Sequence, residues 1–194
     1  MIALFLASIA FAGGRHGGVP VTGVQGLGEP SFETSSTGWS AQVEGGYVRI
    51  FVGHDDVEAH DWVGRQALGF SKPLAPYAGS IPAEDLQGDG KGVLLLRDGN
   101  VGFLVRVQPT GTVDAETWAR TLLASLAPDS PWPAAPSLKQ DGDRWTVVAP
   151  GAKQVAFHGG HLVANQGLVF SDPPTELVAW DQYGRASVWN ATKN

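Results

Sequence analysis

Two stretches of this chain run through the same order of strand, tight turn, strand and helix, and their helices share one pattern. Residues 39–69 and 93–126 each read this way. The second strand of each unit is rich in β-branched and aromatic residues: Tyr47-Val48-Arg49-Ile50-Phe51-Val52 and Val101-Gly102-Phe103-Leu104-Val105-Arg106-Val107. Gly45-Gly46 and Asp98-Gly99-Asn100 precede these strands, and glycine supplies the positive φ that a tight hairpin needs. Val57-Glu58-Ala59-His60-Asp61-Trp62 then aligns with Val113-Asp114-Ala115-Glu116-Thr117-Trp118. In the second helix Ala115, Trp118, Ala119, Leu122, Leu123 and Leu126 make one apolar stripe. Ala59, Trp62, Val63, Ala67 and Phe70 do so in the first, with Gln66 the polar exception. Asp55 and Glu58 have the spacing of a capping box, and Thr112 is the expected cap of the second helix.

The pattern predicts an α+β fold. Duplicated ββα units form an antiparallel sheet with two helices on one face, and Trp62 and Trp118 lie between the layers. Between the units, Ser71 to Lys91 has three prolines and reads as a long loop, with room for a short helix at Ala83-Glu84-Asp85-Leu86. After Leu126 the pattern changes to short β-rich runs: Arg144–Ala149, Gln154–His158, Leu162–Phe170, Glu176–Asp181 and Ala186–Asn190. They predict a small all-β meander or sandwich-like module. Its final hairpin, Val178-Ala179-Trp180-Asp181-Gln182-Tyr183-Gly184-Arg185, is similar to the V-x-x-D-x-x-G-R hairpin of bacterial immunoglobulin-like modules. That resemblance spans about ten residues and implies a non-catalytic β-module.

The apolar run Ile2 to Ala10, closed by Ala10-Phe11-Ala12, reads as a secretory signal cleaved after Ala12, although no Lys or Arg precedes it. The competing reading is a buried N-terminal strand or helix. The layout is therefore a signal peptide over residues 1–12 and a flexible Gly/Ser/Thr/Pro-rich lead over 13–37, in which Val19, Val21 and Val24 suit a short edge strand. The sheet domain follows over 38–127, then a Pro-rich linker or tethered crossover over 128–141. The β-module covers 142–190 and a tail 191–194. The mature chain is expected to be soluble in the periplasm or outside the cell, without membrane insertion.

With Cys 0, disulfides, thiolate metal sites, cysteine nucleophiles and lipobox anchoring are excluded. A net charge of −6 with scattered arginines argues against nucleic acid and anionic membrane surfaces as partners. No G-x-S-x-G, S-x-x-K or H-E-x-x-H is present, so no catalytic residue is assigned. Glu84 and Asp85 are an acidic pair, but neighbours in sequence tend to point apart.

His54, Asp56 and His60 are the metal candidates, because Asp56 and His60 share a helix face at i, i+4. The same acids also suit the helix cap and macrodipole. His158-Gly159-Gly160-His161 is a second pair across a turn, with no acid nearby to orient it. Gly88-Asp89-Gly90-Lys91-Gly92 lacks the spacing of a phosphate loop and reads as the lead-in to a strand. Trp145, Trp180, Tyr183 and Trp189 are the ligand-binding candidates, since exposed aromatics on a β surface stack on sugars or peptides. Their alternative is core packing in a chain without disulfides. The functional expectation is an exported, non-enzymatic binding or structural module with a protein or glycan partner in the cell envelope and no cofactor. The alternatives are a carbohydrate-binding accessory module using tryptophans, and a hydrolase with a His54/Asp56/His60 site under a Ser71–Lys91 lid.

Overall fold

Glycines close both hairpins, with Gly45 and Gly99 taking the positive φ that the tight turns need. The computed structural model describes residues 14–33, 37–109, 111–157, 160–163 and 169–191. The proposed signal peptide lies outside the described residues. The first half of the chain holds β1 (Ser31–Phe32), β2 (Gly38–Val43), β3 (Gly46–Val52), α1 (Asp56–Leu68), β4 (Ala75–Pro76) and β5 (Asp85–Gly88). It continues through β6 (Val93–Asp98), β7 (Val101–Val107) and α2 (Ala115–Ala124). The second half holds β8 (Ser137–Asp141), β9 (Arg144–Val148), β10 (Gln154–Phe157), β11 (Gly160–Val163), β12 (Val169–Phe170), β13 (Glu176–Trp180) and β14 (Ala186–Asn190).

Strands β1 to β7 form one antiparallel sheet in the order β1-β2-β3-β7-β6-β5-β4. The protein is α+β, with a β-rich second half. The expectation of two helices on one face is corrected. Side chains alternate across a strand, and along β7 Phe103 and Val105 join the cluster that receives α2, while Leu104 joins the one that receives α1. Gly102 lies under Trp62: a Cβ there would sit 2.6 Å from the indole. The helices therefore cover opposite faces. Both faces being covered explains why Val93-Leu94-Leu95-Leu96 is an unbroken apolar run. The shared V-acid-A-x-x-W buries Trp62 and Trp118 alike, but on different sides of the sheet, so it marks a common packing solution rather than a common placement.

Local chemistry sets the helix starts. Asp55 caps α1 by accepting the Glu58 N–H at 2.8 Å, and the Glu58 carboxylate reaches back to the His54 N–H at 2.7 Å. The cap of α2 is Asp114, which accepts the Thr117 N–H at 2.7 Å, and not Thr112, whose hydroxyl donates to Glu44. The polar exception Gln66 accepts a hydrogen bond from Arg49 of β3 at 3.0 Å.

Three further expectations are corrected. The lead is pinned, not flexible: Val19 and Val21 are buried in the main core, and Val21 N donates to Gln182 O. The buried Asn100 of the β6–β7 turn holds it as well, donating to His16 O and Gly53 O. Val19, Val21 and Val24 make no strand; the edge strand on the β2 side is Ser31–Phe32. The stretch Ser71 to Lys91 carries β4 and β5 and widens the sheet, with no helix at Ala83–Leu86.

In the second half, β11-β10-β13-β14 and β12-β9-β8 form two small antiparallel sheets. Val155, Leu177 and Ala179 face inward to Leu138, Val147 and Trp189. The opposite side of the same strands, Ala156, Val178 and Trp180, enters the core of the large sheet. The β10–β13 pair is thus buried on both faces. The segment before β8 is tethered by Arg185 donating to Ser130 O and Ser187 donating to Pro133 O.

Candidate binding cleft

Helix α1 covers only part of its face of the sheet. It ends at Leu68, and the chain turns back so that Phe70 and Leu74 pack against the α1 cluster. Beyond them the face opens where Arg106 lies, the one exposed residue of the otherwise buried strand β7. Arg106 is in register with Val93 on one side and Tyr47 on the other.

The β5–β6 turn supplies the second wall. Asp89 Oδ1 accepts the N–H groups of Lys91 at 2.8 Å and Val93 at 2.9 Å, which fixes the turn around Gly90. Burial alone raises the Asp89 carboxyl, and the backbone donors outweigh it, so it titrates below the ordinary carboxylate range. Gly92 has φ +134°, and a Cβ there would lie 2.2 Å from Val107 O, so only glycine lets this turn close onto β7. Lys91 is carried between these glycines.

A cavity of about 620 Å³ results, lined by Phe70, Lys72, Leu74, Tyr77, Asp89, Lys91 and Arg106 among others. A second, of about 420 Å³, shares Asp89, Lys91, Val93 and Arg106 with it. A third, of about 260 Å³, lies toward the start of α2 and is also bordered by Lys91 and Val93. Arg15, Arg49, Arg97, Arg120 and Arg185 each pair with a carboxylate. Lys72, Lys91 and Arg106 make no ion pair or side-chain hydrogen bond with a described residue, and neither do Arg65 and Arg144 outside the cleft.

One clamp holds Tyr77 in the cleft wall, and a second polar cluster fixes the far end of β5. Tyr77 donates to Glu116 at 2.9 Å, and Arg120 bridges Glu116 to Ser80. The hydrogen bond to Glu116 and some burial raise the Tyr77 hydroxyl, while those from Arg120 and Tyr77 hold Glu116 below its ordinary range. On the other side Arg97 reaches both Glu84 and Asp85, so this adjacent pair converges on one guanidinium. His60 Nδ1 lies 3.0 Å from Asp85 Oδ2. Burial raises the Asp85 carboxyl, and the bonds from Arg97 and His60 outweigh it and lower it overall.

The metal reading of His54, Asp56 and His60 is therefore corrected. His54 stacks on Trp132 with centroids 4.1 Å apart, Asp56 is exposed in the first turn, and His60 faces Asp85. No group of three metal-binding side chains occurs among the described residues. The histidine pair at 158 and 161 lies outside the described side chains. Trp180 is fully buried against Phe32 and offers no stacking surface. Trp189 is in register with Leu177, whereas Trp180 is in register with Ala186, so the two indoles occupy opposite faces of the hairpin. Trp145 is half-buried on β9, and Tyr183 lies under the Arg185 guanidinium at 5.2 Å. These four aromatics make no common platform.

The cleft was missed by reading for motifs, though a signal was present: Arg106 is a lone cation within seven residues that otherwise alternate or run apolar. No family model, curated protein or solved structure gives a significant match to the chain. Among the described residues, no helix is long and apolar enough to cross a membrane.

Proposed function

We propose that this chain is an exported, non-enzymatic binding module of the cell envelope, and that its ligand site is the cleft between the Phe70–Ala78 segment and the Gly88–Val93 turn. One observation carries the reading: Lys72, Lys91 and Arg106 border a single cavity without partners among the described residues, while other ionisable groups nearby serve one another or the backbone. A cavity of about 620 Å³ lies in the range of small-molecule sites, roughly 300–1,000 Å³. The candidate histidines have structural work instead: His54 stacks on Trp132, and His60 with Arg97 fixes Asp85. Export rests on the apolar run Ile2 to Ala10 and the Ala10-Phe11-Ala12 site.

The test is a screen of chemically diverse small molecules against nitrogen-labelled protein, followed by amide chemical shifts. Hits should perturb amides of residues 70–78, 88–93 and 105–107, and the bound molecules should be recovered unchanged. Hits that map elsewhere, or turnover of a hit, would overturn the reading. N-terminal sequencing of the exported chain should begin at Gly13; a start at Met1 would remove the export claim.

A further inference from the structure

We infer that the cleft takes a small amphipathic anion, a phosphate or carboxylate head on an apolar body; this deepens the binding reading above and rests on it. The side chains around the cavity carry Lys72, Lys91 and Arg106 against the single carboxylate of Asp89. The Asp89 carboxylate, whose Oδ1 accepts the N–H groups of Lys91 and Val93, offsets only one of these three positive charges. The cleft is therefore a local excess of positive charge on a chain whose net charge is −6. The overall field repels anions, so attraction arises only at short range, where ionic contacts in a partly desolvated groove are stronger than on open surface.

Geometry narrows the head group. Arg106 stands on a central strand whose backbone is hydrogen-bonded on both sides, so its guanidinium fork starts from a rigid base. A planar fork suits the paired oxygens of carboxylate or phosphate, and the two lysines act as flexible point charges beside it. The opposite wall is apolar, with Phe70, Pro73 and Leu74 among the lining residues. A bare inorganic anion leaves that wall wet, whereas a ligand with an apolar body covers it.

The probes are octyl phosphate, octanoate, octyl glucoside and inorganic phosphate, each below its micelle concentration and at constant ionic strength, titrated by calorimetry and amide shifts. Octyl phosphate or octanoate should bind at least tenfold tighter than octyl glucoside, with inorganic phosphate weaker than octyl phosphate. The tighter of the two charged probes identifies the head group. Arg106→Gln and Lys91→Gln should each weaken that probe at least fivefold, and Lys139→Gln on β8 should not. Both cleft side chains are exposed, so circular dichroism should show unchanged folds. Equal binding of octyl glucoside and octyl phosphate in the cleft, or unchanged affinity in Arg106→Gln, would overturn the anion inference and leave the cleft reading standing. Absence of any cleft perturbation by these probes, with neutral hits from the screen still mapping there, would also overturn the inference alone.

Discussion

Removing the Arg185 side chain should be among the most damaging single changes available in the second half of the chain. Arg185 and Asp181 are 4% and 8% exposed in their side chains, so the pair is held almost out of water. The guanidinium donates to Asp181 Oδ2 through Nε at 2.8 Å and to Ser130 O at 2.7 Å, and it lies over the rings of Trp132 and Tyr183. Asp181 Oδ1 separately accepts the Tyr183 and Arg185 N–H groups. Arg185→Ala leaves that carboxylate buried with its backbone donors alone and frees the Ser130 carbonyl. Breaking a buried pair from one side costs about 3–5 kcal/mol. A domain of this size shifts by roughly 2–4 °C per kcal/mol, so Tm should fall by about 6–20 °C in a calorimetric scan. The double variant Asp181→Leu with Arg185→Leu removes both charges, and it should lose less stability than the two single losses added together. A loss below about 1 kcal/mol for Arg185→Ala, or simple additivity in the cycle, would refute the claim that this pair organises the seam between hairpin and crossover.

Gly184, at the same turn, has φ +75° and approaches Trp39, whose Nε1 would lie 2.0 Å from an added Cβ; Gly184→Ala should cost about 1–3 kcal/mol by urea unfolding, and a neutral result would contradict the contact. Asp85 is held below its ordinary range by Arg97 and His60 against the opposing effect of burial. Its contribution is present above the unfolded-state value of about 3.9 and is lost as pH falls through the lower folded value. Asp85→Asn should therefore be less stable than native protein at neutral pH and converge with it in strong acid, as measured by urea midpoints across pH. In the cleft, Arg106→Gln should leave Tm within about 1 °C of native while weakening the anionic probe, and a large fall in Tm would assign Arg106 to the fold instead.

The hairpins, both helices and most strands of the second half were legible because their signals are local. Glycine turns, the Asp55–Glu58 cap and the helical stripes act within a few residues. The side on which each helix packs was not legible, because Leu104 and Val105 are both apolar and sequence does not say which faces α1. The run Leu177-Val178-Ala179-Trp180 held more information than was drawn from it: four consecutive apolar residues in a strand mean burial on both faces, which places Trp180 inside. The lead looked mobile because its backbone partners, Ala127 for Gly17 and Gly18 and Gln182 for Val21, lie far along the chain. Strands β4 and β5 escaped notice because two to four residues with Pro76, Asp85 and Gln87 show no alternation. For the cleft, Arg106 and Lys91 were visible as isolated cations, but their neighbourhood depends on the return of Phe70–Pro76 across the sheet, a tertiary event without a local code.

Occluding the cleft tests its role most directly. Ala75 is exposed on the edge strand β4 and lines the cavity, so Ala75→Trp should fill that space without entering the core. Octyl phosphate should shift amides around residues 88–93 and 105–107 in native protein and leave them unmoved in Ala75→Trp, with both proteins equally folded. Equal binding by the two proteins, or shifts confined to another surface, would contradict the assignment of this cleft as the ligand site.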